Sequence, residues 1–303
     1  MRIIKETNIN FMGISRFAIS ISMILIMIGI MSLFLKGGPQ YGIDFTGGMS
    51  LGLRFEKPVN VGEIRSILSG IGLGNSEIKA FATGNEILIR LQQQEEMDLI
   101  SGKIVNEITT RLPDNHFEIR SKDTVGPRIG SELRDNAIKA IIIALILILI
   151  YISWRFEFKF AVGAVVALFH DVLITLGFFS LFNFELSLAV VAAFLTLVGY
   201  SLNDTIVVFD RIRENLKVMR REANLTIFNK SINQTLSRTL LTSLTTLLVV
   251  VILFFFGGEV IHGFSFALLV GIIVGTYSSI FIASPIALAW YSRSEMKTGV
   301  AVR

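Results

Sequence analysis

The sequence predicts an α-helical polytopic membrane protein: six transmembrane helices, interrupted once by a small α+β domain. Two observations carry this. Of 303 residues, 52% are hydrophobic and only 17% charged, and the mean hydropathy is +0.65, well away from a soluble composition. The apolar residues also collect into six long runs, with one mixed stretch from 36 to 136 between the first two.

Composition excludes several functions. With no cysteine the chain cannot hold disulfides or iron–sulfur clusters or use a thiol nucleophile, and three histidines leave little for a zinc site. No cofactor and no enzymatic activity are expected. The net charge of +4 could suit nucleic acid, but on a membrane protein positive charge usually decorates the cytoplasmic face. No nucleic-acid partner is expected.

Three runs lack Lys, Arg, Asp and Glu: Phe17 to Leu35, Ala140 to Trp154 and Leu240 to Gly258. Phe160 to Phe182 and Leu186 to Phe209 are equally apolar apart from His170, Asp171 and Asp204, and Phe264 to Tyr291 completes the set with a kink expected at Pro285. The first run is longer than a signal-peptide core, and Leu33-Phe34-Leu35-Lys36 offers no cleavage site, so it reads as a retained anchor. Orientation follows from basic residues. Arg2, Lys5 and Arg16 precede span 1, Arg155 and Lys159 join spans 2 and 3, seven more lie from Arg211 to Arg238, and Arg293, Lys297 and Arg303 follow span 6. The opposite loops around Asn183 and from Gly257 to Gly263 hold none. Residues 1–16, a loop of about 210–238 and residues 292–303 are therefore expected in the cytoplasm, with spans 2 to 6 over 137–291 and the domain 36–136 extracytoplasmic.

That domain reads βαββαβ. Leu51, Leu53 and Phe55 alternate as a strand, and Asn60 with Glu63 opens a helix through Leu68. Ile78, Ala80 and Ala82, then Ile87, Ile89 and Leu91, flank the turn pair Gly84-Asn85. Met97, Ile100, Ile104, Ile108 and Leu112 recur at helical spacing, and Phe117 and Ile119 mark a last strand. The order suggests a ferredoxin-like fold. A six-span unit with such an insertion has the shape of half a duplicated transporter.

Charges inside the spans are the candidate site, because an ionised group in hydrocarbon costs about 2.5 to 3.5 kcal/mol even on lenient scales. Asp204 lies in GYSLNDTIVVFDRIREN among Gly199, Ser201, Asn203 and Thr205, a polarity that suits a bundle interior. Arg238, in TLSRTLLTSLTTLL, stands at the start of span 5 with Thr242 and Thr245 continuing a polar stripe. The two sit at similar depth, so an ion pair is expected, in which only the Asp can change charge. Such a pair is either a proton relay or a static salt bridge. His170 and Asp171 fall midway along span 3. Neighbours on a helix do not share a face, so they are not expected to bond each other; Asp171 should meet span 4 or 2, as a packing contact or as part of the relay. An intramembrane aspartyl protease needs two carboxylates sharing a proton, and the depths of Asp171 and Asp204 differ by about 8 to 9 Å at 1.5 Å per residue.

Weaker signals are structural. GIDFTGG, Gly42 to Gly48, lacks the Lys-Ser/Thr of a phosphate loop and should shape the turn into the domain. Gly271 and Gly275 give a GxxxG spacing for close packing. DRIRENLKVMRRE, Asp210 to Glu222, reads as a basic amphipathic helix along the inner surface, either a solvated charged face that serves topology or a site for anionic lipid or a partner.

These motifs, with VGPRIGSELRDNAIKA from Val125 and FHDVLITLG from Phe169, closely resemble the SecF family of protein-export membrane subunits, within the resistance-nodulation-division (RND) superfamily. The resemblance covers nearly the whole chain. It implies half of an RND-type transporter, whose six spans pair with six of SecD in the cytoplasmic (inner) membrane of bacteria. It implies a Sec-channel partner, and use of the proton-motive force, with H⁺ as coupling ion, to aid late translocation of preproteins. By motif position the resemblance implies that Asp204 is the family's proton-linked carboxylate and Arg238 its charged partner on the next span. Two alternatives stay open: a non-conducting structural partner of SecD, and half of a small-molecule proton antiporter.

Overall fold

The computed structural model describes residues 7–80, 84–91 and 97–298. Arg2, Lys5, Ala82 and Arg303, and the side chains of Arg293 and Lys297, lie outside the described residues. In chain order the elements are α1 (Phe11–Leu35), α2 (Ile43–Thr46), β1 (Gly48–Phe55), α3 (Val61–Gly70), β2 (Glu77–Ala80), β3 (Glu86–Leu91), α4 (Met97–Arg111), β4 (Phe117–Val125), α5 (Pro127–Arg155), α6 (Phe158–Leu181), α7 (Leu188–Val218), α8 (Asn224–Phe256), α9 (Glu259–Ser278), a π-helical turn (Ser279–Ala283) and α10 (Ser284–Thr298). They form two compact units, Tyr41–Lys139 and the remainder.

The inserted unit is a four-stranded antiparallel sheet in the order β2-β3-β1-β4, the arrangement of a ferredoxin-like βαββαβ fold. Met49, Leu51, Leu53 and Phe55 of β1 and Ile87, Ile89 and Leu91 of β3 share one face and pack with Ile64, Ile67 and Leu68 of α3 and Ile104 and Ile108 of α4. Asn60 caps α3, its Oδ1 accepting from Gly62 N–H at 2.7 Å. The GIDFTGG motif forms the one-turn α2 and then Gly47 and Gly48, whose φ of 73° and 126° only glycine adopts readily.

Six helical stretches are long and apolar enough to cross a membrane. The chain is a multi-pass membrane protein. Those formed by α6, α7 and α9–α10 are buried most, whereas α1, α5 and α8 expose most of their apolar residues. Small residues set the crossings. A Cβ on Gly29 would lie 2.7 Å from Gly177 Cα, so α1 meets α6 backbone to backbone, and Gly271 and Gly275 admit Leu197 and Ser201 of α7 against α9.

Three expectations are corrected. Span 1 starts at Phe11 rather than Phe17: Asn10 caps it, and Phe11 and Met12 are buried against the bundle despite Arg16 beyond them. Span 6 is not one helix kinked at Pro285. The register changes earlier, in the π turn, where Ser284 Oγ donates to Ser279 O five residues back. Asp210 to Glu222 is no separate surface helix, because α7 continues through Val218 and α8 begins at Asn224. Its apolar face is covered by protein: Ile212 is fully buried, and buried Asn215 donates to Ser231 Oγ of α8 at 2.8 Å.

Candidate functional site

Asp204 is 2% exposed on the inward face of α7. Ser243 of α8 approaches it, Oγ to Oδ2 at 3.2 Å, and also meets Thr276 Oγ1 of α9 at 2.7 Å, while Thr276 lies 2.8 Å from the Ile272 carbonyl. Each hydroxyl has one hydrogen, so this chain has two consistent arrangements. With Asp204 ionised, Thr276 donates to Ser243 and Ser243 to the carboxylate, and the Thr276–Ile272 contact gives up its hydrogen. With Asp204 protonated, the carboxyl donates to Ser243, Ser243 to Thr276 and Thr276 to Ile272 O. The same atoms serve both charge states.

Arg238 does not pair with Asp204. Among the described residues no basic nitrogen lies within 4.0 Å of that carboxylate. The reason is rotation about α8: Ser243, five residues on, faces Asp204, which places Arg238 about 140° away at 100° per residue. Arg238 is exposed and lines a cavity of about 860 Å³ at the basic end of the bundle, with Asn203, Ile206, Val207, Asp210 and Thr235. The predicted Thr242–Thr245 stripe is likewise replaced, since those hydroxyls bond carbonyls of their own helix. The inward stripe is Thr239 and Ser243, at i and i+4. Thr239 is 1% exposed, and its Oγ1 has no hydrogen-bond partner among the described residues.

His170 and Asp171 do bond each other, Nδ1 to Oδ1 at 2.8 Å. Nδ1 adjoins the branch point of a short side chain, so it reaches the next residue around the helix although the two Cβ atoms diverge. Asp171, 0% exposed, accepts through Oδ2 from Ser201 of α7 at 2.5 Å and Ser278 of α9 at 2.8 Å. It thus meets span 4, as expected, and span 6, and among the described residues has no hydrogen bond to span 2. His170 Nε2 lies 2.9 Å from Ser22 Oγ of α1. Ser22, Ser243, Thr276, Tyr277 and Ser278 were invisible as site residues in the sequence, because a hydroxyl in an apolar run usually satisfies its own helix. Asp171 and Asp204 share no hydrogen bond and form no protease-type dyad.

Six spans around buried, hydroxyl-bound carboxylates, with a ferredoxin-like insertion after span 1, define a multi-pass membrane protein with a polar site inside its bundle. Residues 104–293 match the family described as protein export membrane protein SecD/SecF, C-terminal, and residues 32–59 the SecD/SecF GG motif. The chain is 50% identical over 293 residues to protein translocase subunit SecF of Desulfurispirillum indicum, covering 94% of this chain and 92% of the relative. It is 48% identical to that of Vibrio alginolyticus, covering 93% and 90%. The chain belongs to the SecF family of protein translocase subunits. Its structure resembles the crystal structure of SecDF, a translocon-associated membrane protein from Thermus thermophilus, with TM-score 0.84 and 41% identity over 95% of this chain. A second SecDF structure, in a super-membrane-facing form, gives TM-score 0.72 and 39% identity over 98%. The chain spans only 39% and 40% of those two solved chains.

Proposed function

We propose that this chain pairs with a SecD subunit at the Sec channel of the bacterial inner membrane and uses proton movement to promote late translocation of preproteins. In this reading the termini and the basic end of the bundle face the cytoplasm, the inserted domain faces the other side, and H⁺ is the coupling ion. Asp204 carries the proton. The supporting observation is the Asp204–Ser243–Thr276–Ile272 chain, which can reverse its hydrogens when the carboxyl gains or loses a proton: protonated, all three contacts hold a hydrogen, and ionised, only the Thr276–Ile272 contact gives one up.

Arg238 then acts at a distance, as a fixed cation in the cavity beside Asn203. Ionised Asp204 is drawn towards that cation and protonated Asp204 is not, so each proton changes the force between α7 and α8. A carboxylate alternating in charge inside the bundle biases helix positions, and the inserted domain provides the surface that handles emerging polypeptide.

The test is preprotein translocation into vesicles containing this chain with its SecD, with and without an imposed proton gradient. The gradient should accelerate wild type and not Asp204→Asn at matched complex levels. If the benefit persists in the variant, the chain is a non-conducting structural partner.

A further inference from the structure

Four polar contacts run in series away from Asp171: Oδ1 to His170 Nδ1 at 2.8 Å, His170 Nε2 to Ser22 Oγ at 2.9 Å, Ser22 Oγ to Tyr277 Oη at 3.1 Å, and Tyr277 Oη to the Ala18 carbonyl oxygen at 2.6 Å. Each contact needs one hydrogen. The far end is fixed, because a carbonyl only accepts, so Tyr277 donates to it. Tyr277 then accepts from Ser22. Ser22 has spent its only hydrogen and must accept from His170, which places a hydrogen on Nε2. A neutral imidazole has one hydrogen and an ionised carboxylate none, so the Nδ1–Oδ1 contact is left with two lone pairs facing each other. Among the described residues no other donor reaches that contact; the hydroxyls of Ser201 and Ser278 go to Asp171 Oδ2.

We infer that His170 and Asp171 together bind a proton, separate from the one assigned to Asp204, and that this proton completes the link from α1 to the end of α9 through Ser22 and Tyr277. With it, the pair is neutral overall and all four contacts hold a hydrogen. Without it, three hydrogens serve four contacts. His170 then keeps its hydrogen on Nδ1, where the ionised carboxylate makes the stronger bond. Ser22 turns its hydroxyl to the bare Nε2, and the Ser22–Tyr277 contact loses its hydrogen. Proton loss therefore weakens the join between α1 and α9, and pulling α1 from α9 expels the proton.

The groups that could compete are few. Around α6, α9 brings Tyr277 and α7 brings Asp204, three residues past Ser201. Between Arg16, in its second turn, and Lys36, just past its end, α1 has no charged residue, and the π turn has none. The Tyr291 ring of α10 lies under Lys159 at the basic end. The inference does not depend on what Asp204 does.

Nitrogen-15 NMR of histidine-labelled full chain in lipid vesicles reads the hydrogens directly. The chain has three histidines, so a His170→Gln spectrum identifies the signal. At neutral pH His170 Nε2 should carry hydrogen, and raising the pH should remove it while Nδ1 keeps its own. Tyr277→Phe retains the ring stacked near His170 but deletes the acceptor, leaving Ser22 free to donate to Nε2; the Nε2 hydrogen should then be lost at lower pH than in wild type. A wild-type His170 protonated on Nδ1 alone at neutral pH overturns the inference. So does a Tyr277→Phe protein that holds the Nε2 hydrogen over the wild-type pH range.

Discussion

Ser201 and Asp204 sit one turn apart on α7 and serve different carboxylate sites: Ser201 donates to Asp171 at 2.5 Å, while Asp204 accepts from Ser243 of α8. The same division recurs on α9, where Thr276 meets Ser243 and Ser278 donates to Asp171. The α7–α9 seam thus has one carboxylate on each side, and Gly275 lets the two backbones close at Ser201. A shift of α7 against α9 must stretch hydrogen bonds at both sites.

Ser243 is the hinge of the two-state chain. Ser243→Ala removes a donor to a charged group, worth about 1.5 to 3 kcal/mol, so gradient-driven translocation should fall about tenfold or more. Gradient-independent translocation should stay near wild type, and Ser243→Thr should restore most of the loss. Equal losses with and without a gradient would show that the hydroxyl only packs.

Because Arg238 makes no direct pair with Asp204, its charge should matter more than its planar geometry. Arg238→Lys should keep most gradient-driven translocation and Arg238→Gln should lose it. A bidentate guanidinium contact would not tolerate lysine, so equal failure of both variants would restore the direct pair.

The six spans, the βαββαβ order, the Asn60 cap and the Gly271–Gly275 contact were all legible, because each rests on a local pattern of hydropathy, capping or small residues. Sequence spacing also predicts a similar depth for Asp204 and Arg238. It could not give rotation, and 140° about α8 at 100° per residue is the difference between an ion pair and none. Ser22 and Ser278 escaped notice for another reason. Ser265 in the same kind of run simply bonds the Ile261 carbonyl one turn back, and nothing in composition separates it from a serine that reaches another helix. The π turn has no marker of its own, since Pro285 signals only that some irregularity precedes it.

Gly29 tests whether the α1–α6 crossing is as tight as the backbone geometry requires. A methyl there would sit 2.7 Å from Gly177 Cα, so Gly29→Ala must force the helices apart. Overpacking of this kind costs about 1 to 3 kcal/mol, which thermal unfolding in detergent should register. Gly199→Ala is the control: a Cβ there meets nothing within 4 Å, and alanine favours a helix over glycine by about 1 kcal/mol, so that variant should be no less stable than wild type.

In the inserted domain, Asp98 in the first turn of α4 accepts from Lys122 Nζ of β4 at 2.7 Å. That hydrogen bond, and then the lysine charge, hold its carboxyl below the usual aspartate value. A carboxylate depressed in the folded state contributes stability that is fully present above its unfolded value, about 3.9, and is lost as pH falls through the folded one. The contribution is small, because Asp98 is exposed. Amide exchange along β4 and the start of α4 should therefore be slightly faster in Lys122→Gln than in wild type at pH 6, by a margin that stays constant down to about pH 5. Below that the margin should shrink and vanish as Asp98 is protonated in both proteins. A margin that widened on acidification would mean that Lys122 stabilises the strand through something other than this carboxylate.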